Sequence, residues 1–285
     1  MDRDLVKKRI KNLRDEIEYH NKLYYDDNQN IISDYEYDLK MNELISLEKQ
    51  YPEYLLNTSP SLKVGGKITK DFNTFKHNTQ MLSLSNTYSD EDLDDFDKRT
   101  KKILGSESVE YVCELKYDGV ALSIIYENNI LKRALTRGDG KYGDDISNNA
   151  LTIKTLPIKL NTNEILDIEV RGEAFISKTN FELLNKEKEN KNEQLFSNPR
   201  NTASGSLKLQ DSSEVAKRKI NCFIYSLNSE LDGLNTHEDG LNYLKKIGFN
   251  VPKTYKKCNN IEEVKNYIKK WENKRNTLDV ETDGI

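Results

Sequence analysis

Cys113-Glu114-Leu115-Lys116-Tyr117-Asp118-Gly119-Val120 sets a lysine into a short apolar run. Val112, Leu115, Val120, Leu122, Ile124 and Ile125 have strand character, and Asp118-Gly119 offers a turn. A lysine in or beside such a strand is unusual, because lysine goes inside only when it is paired or used. Burial and cationic neighbours would both disfavour the ammonium, leaving a neutral amine able to act as a nucleophile. The alternative is a strand lysine whose stem packs on apolar surface while its head stays in water. The tetrapeptide Lys-Tyr-Asp-Gly does not decide between the two.

Downstream, Ile130 to Thr136 forms a second strand and runs into Arg137-Gly138-Asp139-Gly140-Lys141-Tyr142-Gly143. This contains a literal G-x-G-x-x-G. A dinucleotide fingerprint should open a helix within a β-α-β unit. Strand-like segments without long crossover helices surround these glycines, so they read as a hairpin loop. Ile165 to Phe175 is a strand whose Glu169, Arg171 and Glu173 share one face, with a solvated face as the simplest reading. A charged helix over 178–193 follows. Phe196-Ser197-Asn198-Pro199-Arg200-Asn201 is a turn into the small-residue segment 202–208, where the backbone can approach a neighbour or ligand closely. Cys222 to Leu227 is one more strand, Leu241 to Ile247 and Ile261 to Arg275 are helices, and 281–285 reads as a strand beginning.

Upstream, Val6, Ile10, Leu13, Ile17 and Tyr24 recur at helical steps, predicting an amphipathic helix to about residue 25. Ser33-Asp34-Tyr35-Glu36 has capping-box spacing and opens a second helix with Tyr37, Met41, Leu44 and Leu47 as its buried stripe. Asp34, Tyr37 and Asp38 share one face of it. With Tyr24 and Tyr25 they could form an acidic, aromatic cup suited to a cationic ring. The plainer reading is dipole-complementing aspartates beside packing tyrosines. Gly65-Gly66 looks like a hinge, and a domain boundary is placed near residue 68. Residues 77–86 form an extended lead-in to the second domain. A helix capped at Ser89 then runs through Leu93, Phe96 and Ile103.

With 285 residues, 35% apolar and 32% charged, the chain has material for one large domain or a small and a larger one. Its apolar runs fall far short of a bilayer span and its start lacks a signal-peptide core. Cys113, Cys222 and Cys258 lie far apart, with neither a disulfide framework nor zinc-ligand spacing, which fits a reducing cytoplasm. A net charge of −4 argues against coating nucleic acid by bulk charge while permitting a local basic patch.

Six segments, in order and spacing, resemble the N-terminal part of the bacterial NAD-dependent DNA ligases across nearly the whole chain. They are Ile32 to Asp38, Met81 to Leu84, Cys113 to Gly119, Thr136 to Gly140, Val170 to Glu173 and Phe196 to Asn201. The resemblance implies an α+β fold. A nucleotidyltransferase domain of antiparallel β-sheets flanked by helices (69–285) would follow a small helical subdomain (1–68) that recognises the nicotinamide mononucleotide (NMN) half of NAD. Lys116 would attack the α-phosphorus of NAD, release NMN and carry AMP as a phosphoramidate. AMP would then pass to the 5′-phosphate of nicked double-stranded DNA, and a 3′-hydroxyl would displace it.

By the same resemblance Glu114 and Leu115 meet adenine, with Ser83 and Leu84 nearby, and Glu173 accepts a ribose hydroxyl. Arg137 contacts ribose or phosphate, Arg200 and Lys208 balance phosphate charge, and Asp118 orients Lys116 or Mg²⁺. Tyr24, Tyr25, Asp34, Tyr37 and Asp38 cradle NMN. NAD and Mg²⁺ are the implied small molecules, with zinc confined to C-terminal domains this chain does not include. A cytoplasmic monomer away from membranes is implied. Lysine at 208, where many members have arginine, keeps the charge and loses the bidentate fork. The family continues Asp283-Gly284-Ile285 for three residues to a pocket lysine, so a truncated piece with slow self-adenylation is expected. Two other readings stay open: an ATP-dependent ligase or RNA-capping transferase, and a nucleotide-binding module that has lost catalysis.

Overall fold

The computed structural model describes residues 3–26, 32, 34–56, 58–63 and 72–285, without the side chains of 21–26, 34, 35, 38, 62 and 63. The chain opens with a helical hairpin of α1 (Arg3–Asp26) and α2 (Asp34–Gln50). Val6, Ile10, Leu13 and Ile17 pack on Met41 and Leu44, the stripe the helical spacing predicts, with Tyr37 and Leu47 half-buried beside them. Beneath this core lies a buried charge. Glu48 is 3% exposed and accepts from Arg14 Nε at 2.8 Å and Ser59 Oγ at 2.7 Å, and also from Ser61. Ionised groups are buried only when their oxygens are satisfied in this way. The network ties the hairpin to the short 3-10 turns Pro52–Tyr54 and Pro60–Lys63.

After β1 (Thr74–Lys76) comes α3 (Asp90–Leu104), capped by the Ser89 side chain accepting from Asp92 N–H and closed by Gly105 in the left-handed region at φ 62°. The helix forms where expected, but Phe96 and Ile103 are exposed. Its buried residue is Asp97, paired with Lys101 at 2.8 Å and Tyr111 Oη at 2.6 Å. Residues 77–86 take no strand structure; backbone bonds from His77 N–H to Lys141 O and from Met81 N–H to Gly140 O hold them.

The remaining strands are β2 (Tyr111–Cys113), β3 (Lys116–Tyr117), β4 (Val120–Glu127), β5 (Ile130–Thr136) and β6 (Tyr142–Asp144). After α4 (Ser147–Ala150) comes β7 (Ile168–Phe175), followed by α5 (Lys178–Asn190), α6 (Pro199–Leu207) and α7 (Ser212–Ala216). Then come β8 (Asn221–Leu227), α8 (His237–Lys246), β9 (Lys256–Cys258), α9 (Ile261–Lys274) and β10 (Thr282–Gly284).

The principal sheet has the order β5-β4-β7-β8, antiparallel throughout. Asn128 and Asn129, both at positive φ, make the two-residue turn between β4 and β5, a conformation asparagine tolerates. Leu122, Ile124 and Tyr126 alternate inward from β4 and meet Ile168, Val170 and Ala174 of β7 in the main core. Three two-stranded pairings, β1–β6, β2–β9 and β3–β10, complete the ladders among the described residues. A second core under them joins Leu115, Tyr117 and Phe175 to Val264, Tyr267 and Val280.

The glycine-rich segment 137–143 is a turn leading into β6, and the helix after it has four residues, so no dinucleotide-binding β-α-β unit forms. Two expectations are corrected. The face carrying Glu169, Arg171 and Glu173 is not solvated: Glu169 is 4% exposed and accepts from Ser123 Oγ at 2.8 Å. The segment after Asn198 is a helix rather than a turn and open stretch, because Asn198 caps the Asn201 N–H and Pro199 occupies the first helical position. Among the described residues no helix is long and apolar enough to cross a membrane.

Candidate active site

Lys116 lies on β3, opposite Gly284 of β10, and the Asp118 N–H donates to Glu281 O just beyond the register at 2.9 Å. This pairing brings Asp283 to the lysine. Nζ donates to both carboxylate oxygens, at 2.8 and 2.6 Å. The lysine side chain is 44% exposed. Of the two readings the sequence left open, a neutral desolvated amine and a half-exposed strand lysine, the arrangement fits the second: a carboxylate sits on Nζ, and the cation beside it, Arg200, reaches that same carboxylate at 4.0 Å.

Gly119 is required where the chain turns from β3 into β4. A Cβ there would lie 2.3 Å from Ala174 O and 3.0 Å from Glu173 Cγ, so only glycine lets the turn sit against β7. That approach puts the Gly119 N–H on the Glu173 carboxylate and places Glu173 within the fields of Lys116, Arg200 and Asp283. Burial raises the Glu173 carboxyl to about 7, against the opposing pull of Arg200, Lys116 and the Gly119 N–H. Arg200 comes from the first turn of α6 and donates Nη1 to Asp118 at 2.7 Å, with Asp283 at 4.0 Å. Lys116, Asp118, Glu173, Arg200 and Asp283 thus form one cluster of three carboxyl groups and two cations at the meeting of β3, β7, β10 and α6.

Other sequence-predicted residues surround it. Glu114, at the end of β2, accepts from His237 Nε2 at 2.7 Å. Leu115 is buried in the second core. Arg137 donates to Ser83 Oγ at 2.8 Å, and Leu84 is exposed. Arg171 holds the same lead-in from behind, through Thr79 O at 2.5 Å and Gln80 O at 3.3 Å. Lys208 caps the far end of α6 and pairs with Asp144 of β6 at 2.8 Å. The Tyr37 ring lies 4.9 Å from Lys154 Nζ. The side chains of Tyr24, Tyr25, Asp34 and Asp38 lie outside the described ones, and with them most of the proposed cup.

The sequence pattern described as the NAD-dependent DNA ligase adenylation domain matches residues 69–285. The chain belongs to that family. The pattern of a DNA ligase-like, N-terminal NAD+-binding domain matches residues 3–65 of the same ligase-family chain. Curated relatives agree. A DNA ligase of Cytophaga hutchinsonii is 48% identical over 278 residues, covering 97% of this chain and 41% of that ligase. One of Flavobacterium psychrophilum is 48% identical over 280 residues, covering 98% and 42%. One of Clostridioides difficile is 46% identical over 281 residues, covering 98% and 41%. The chain therefore spans about two fifths of the length of the ligases it matches.

Three residues near this cluster were given no role by the sequence reading. Asp283 lies in the last strand, in a motif the sequence shows, but its partner is 167 positions away. His237 is an isolated residue at the start of α8 and reaches Glu114 only through the tertiary fold. Tyr225, on β8, is raised well above the usual phenol range by burial and by Glu173. It lies in the fields of Arg171 and Glu114 as well, and the alternation of β8 was its only signal.

Proposed function

We propose that this chain is the adenylyl-accepting part of an NAD-dependent DNA ligase, with Lys116 as the nucleophile. The observation that carries the reading is the cluster around Nζ: an accessible amine, a carboxylate on its protons, and a guanidinium beside them. The Nζ lone pair bonds to the α-phosphorus of NAD, the phosphoanhydride P–O bond breaks, and NMN leaves with the bonding pair. Nζ must shed a proton, and Asp283, 2.6 Å away, is the nearest acceptor. Arg200 faces the charge that develops on the transferring phosphoryl group. Glu173 is placed for a ribose hydroxyl, and Glu114 for the base.

Mg²⁺ would supply further neutralisation of phosphate charge. Among the described residues no group of three His, Cys, Asp or Glu side chains could hold a metal. Mg²⁺ commonly takes one or two carboxylates together with substrate phosphates and water, so its ligands would come largely from the substrate. Residues 1–68 serve as the NMN-recognising unit and 69–285 as the transferase unit. In the longer ligase AMP passes from Lys116 to a 5′-phosphate at a DNA nick, and the adjoining 3′-hydroxyl closes the strand. We place the protein in the cytoplasm as a monomer, where its three buried free thiols stay reduced.

Incubation with adenine-labelled NAD tests the reading. One AMP should attach through an acid-labile, alkali-stable bond, and Lys116→Ala should abolish it. Equal labelling by ATP would overturn the choice of NAD. Tight NAD binding without NMN release, in the chain extended past residue 300, would reduce the protein to a binding module.

A further inference from the structure

We infer that His237 is a positioning residue that aims the Glu114 carboxylate at an exocyclic amine on the nucleotide base, and so makes the site selective for an amino-bearing purine. The inference rests on the adenylyl-transfer reading, in which Glu114 faces the base.

Glu114 sits two residues before the nucleophile, where β2 ends. Its Oε1 is buried and has no hydrogen-bond partner among the described residues. Its Oε2 accepts from His237 Nε2 at 2.7 Å. A carboxylate oxygen accepts at two lone pairs. With Oε1 enclosed, the acceptor Glu114 can offer a ligand is the second lone pair of Oε2, whose direction the imidazole sets.

The imidazole is itself firmly based. His237 is the first residue of α8, and the preceding Thr236 makes a reciprocal capping box with Asp239: its hydroxyl accepts from the Asp239 N–H and its own N–H donates to the Asp239 side chain at 3.0 Å. A helix start pinned on both sides delivers His237 to the same place each time. Among the described residues no other hydrogen bond to the Glu114 side chain stands beside the one from His237, so removing the ring takes away the bond that sets the carboxylate's direction.

An ionised carboxylate only accepts. An amine at C6 of a purine donates to it, whereas a carbonyl at the same position sets lone pairs against it. Sites that rely on a buried polar partner reject analogues lacking it far more strongly than apolar pockets reject a missing methylene. The selection should therefore depend on how well Oε2 is aimed.

The test uses the chain itself with NAD and with nicotinamide hypoxanthine dinucleotide, in which a carbonyl replaces the amine. Calorimetry gives affinity, and intact-mass spectrometry gives the concentration dependence of adduct formation. The wild-type chain should prefer NAD by about tenfold or more. His237→Ala should shrink that preference at least about fivefold, with the loss falling on the half-saturating NAD concentration more than on the saturated rate. His237→Gln restores an N–H donor and should recover most of the preference. If His237→Ala folds and keeps the wild-type preference, or if a folded His237→Gln selects no better than alanine, the inference is overturned while the transferase reading stands. If the wild-type chain neither binds NAD nor forms an adduct, the transferase reading falls and takes the inference with it.

Discussion

Glu173→Gln should remove a pH dependence of stability that one buried carboxyl creates. Burial holds the folded-state value near 7, against 4.5 for an unperturbed glutamate. Below 4.5 both folded and unfolded chains keep the proton, and Glu173 imposes no penalty. As pH rises from there, the unfolded chain releases its proton while the native protein holds on, so stability falls until pH passes about 7 and then levels off. At about 1.4 kcal/mol per pH unit, the span from 4.5 to about 7 corresponds to about 3 kcal/mol in full. Between pH 5 and pH 8 the wild-type chain should lose about 2.5 kcal/mol relative to Glu173→Gln, since glutamine keeps the acceptor for the Gly119 N–H and cannot ionise. Urea unfolding of both proteins at several pH values measures this directly. Parallel profiles would refute the account, showing that Glu173 is already ionised in the native cluster and that Arg200 and Lys116 outweigh its burial.

Four further outcomes follow from the same structure. Asp283→Asn should slow adduct formation at saturating NAD by about 10²-fold, the usual scale of a lost proton acceptor; a faster reaction at low pH would instead mean that Asp283 only holds the ammonium back. Gly119→Ala drives a Cβ to 2.3 Å from Ala174 O, a backbone atom that cannot swing away, and should cost about 3 kcal/mol by thermal unfolding as well as abolishing the adduct. Glu48→Ala removes the carboxylate that pairs the Arg14 guanidinium, 12% exposed, leaving that buried cation, among the described residues, only the Tyr54 carbonyl and the two serine hydroxyls only each other, and should cost about 3 kcal/mol, read as loss of α1–α2 protection in hydrogen exchange. Leu122→Ala empties a fully buried position in the main sheet and should cost about 3 kcal/mol in the same unfolding assay.

What the sequence disclosed follows from how far each signal reaches along the chain. The α1–α2 stripe and the strands around Lys116 were legible because each is written in residues three, four or two positions apart. The Asp118-Gly119 break was legible too, as a local turn. Helix α6 was missed although Asn198 and Pro199 carry good start signals, because Thr202, Ala203, Ser204, Gly205 and Ser206 have too little apolar contrast to show a period. The buried charges were illegible for another reason. Asp97 and Glu169 are polar residues at inward positions, and besides a basic neighbour on their own element, Lys101 and Arg171, each needs a hydroxyl from another element, Tyr111 and Ser123. Lys116 and Asp283 are 167 positions apart, and Glu114 and His237 are 123 apart. Single-residue partners at such separations leave no local trace, so the site was found by its motifs and its working contacts only by the fold.

Those contacts also differ in strength, and the difference suits a site that must exchange partners. Lys116–Asp283 and Arg200–Asp118 are ion pairs with lysine and arginine about half exposed, and exposed pairs are weak and screened by salt. A dinucleotide brings two phosphate charges, and phosphate oxygens can take over both cations at little cost in lost attraction. Glu173 is the opposite case. It is largely buried, anchored by the Gly119 N–H, and carries a proton over much of the range below pH 7, so there it adds little negative charge beside the two cations. If all three carboxyl groups were ionised, the cluster would carry one more negative charge than positive before any phosphate arrived. With Glu173 protonated the two cations balance Asp118 and Asp283, and the ligand-free arrangement holds Lys116 and Arg200 in place with bonds it can afterwards release.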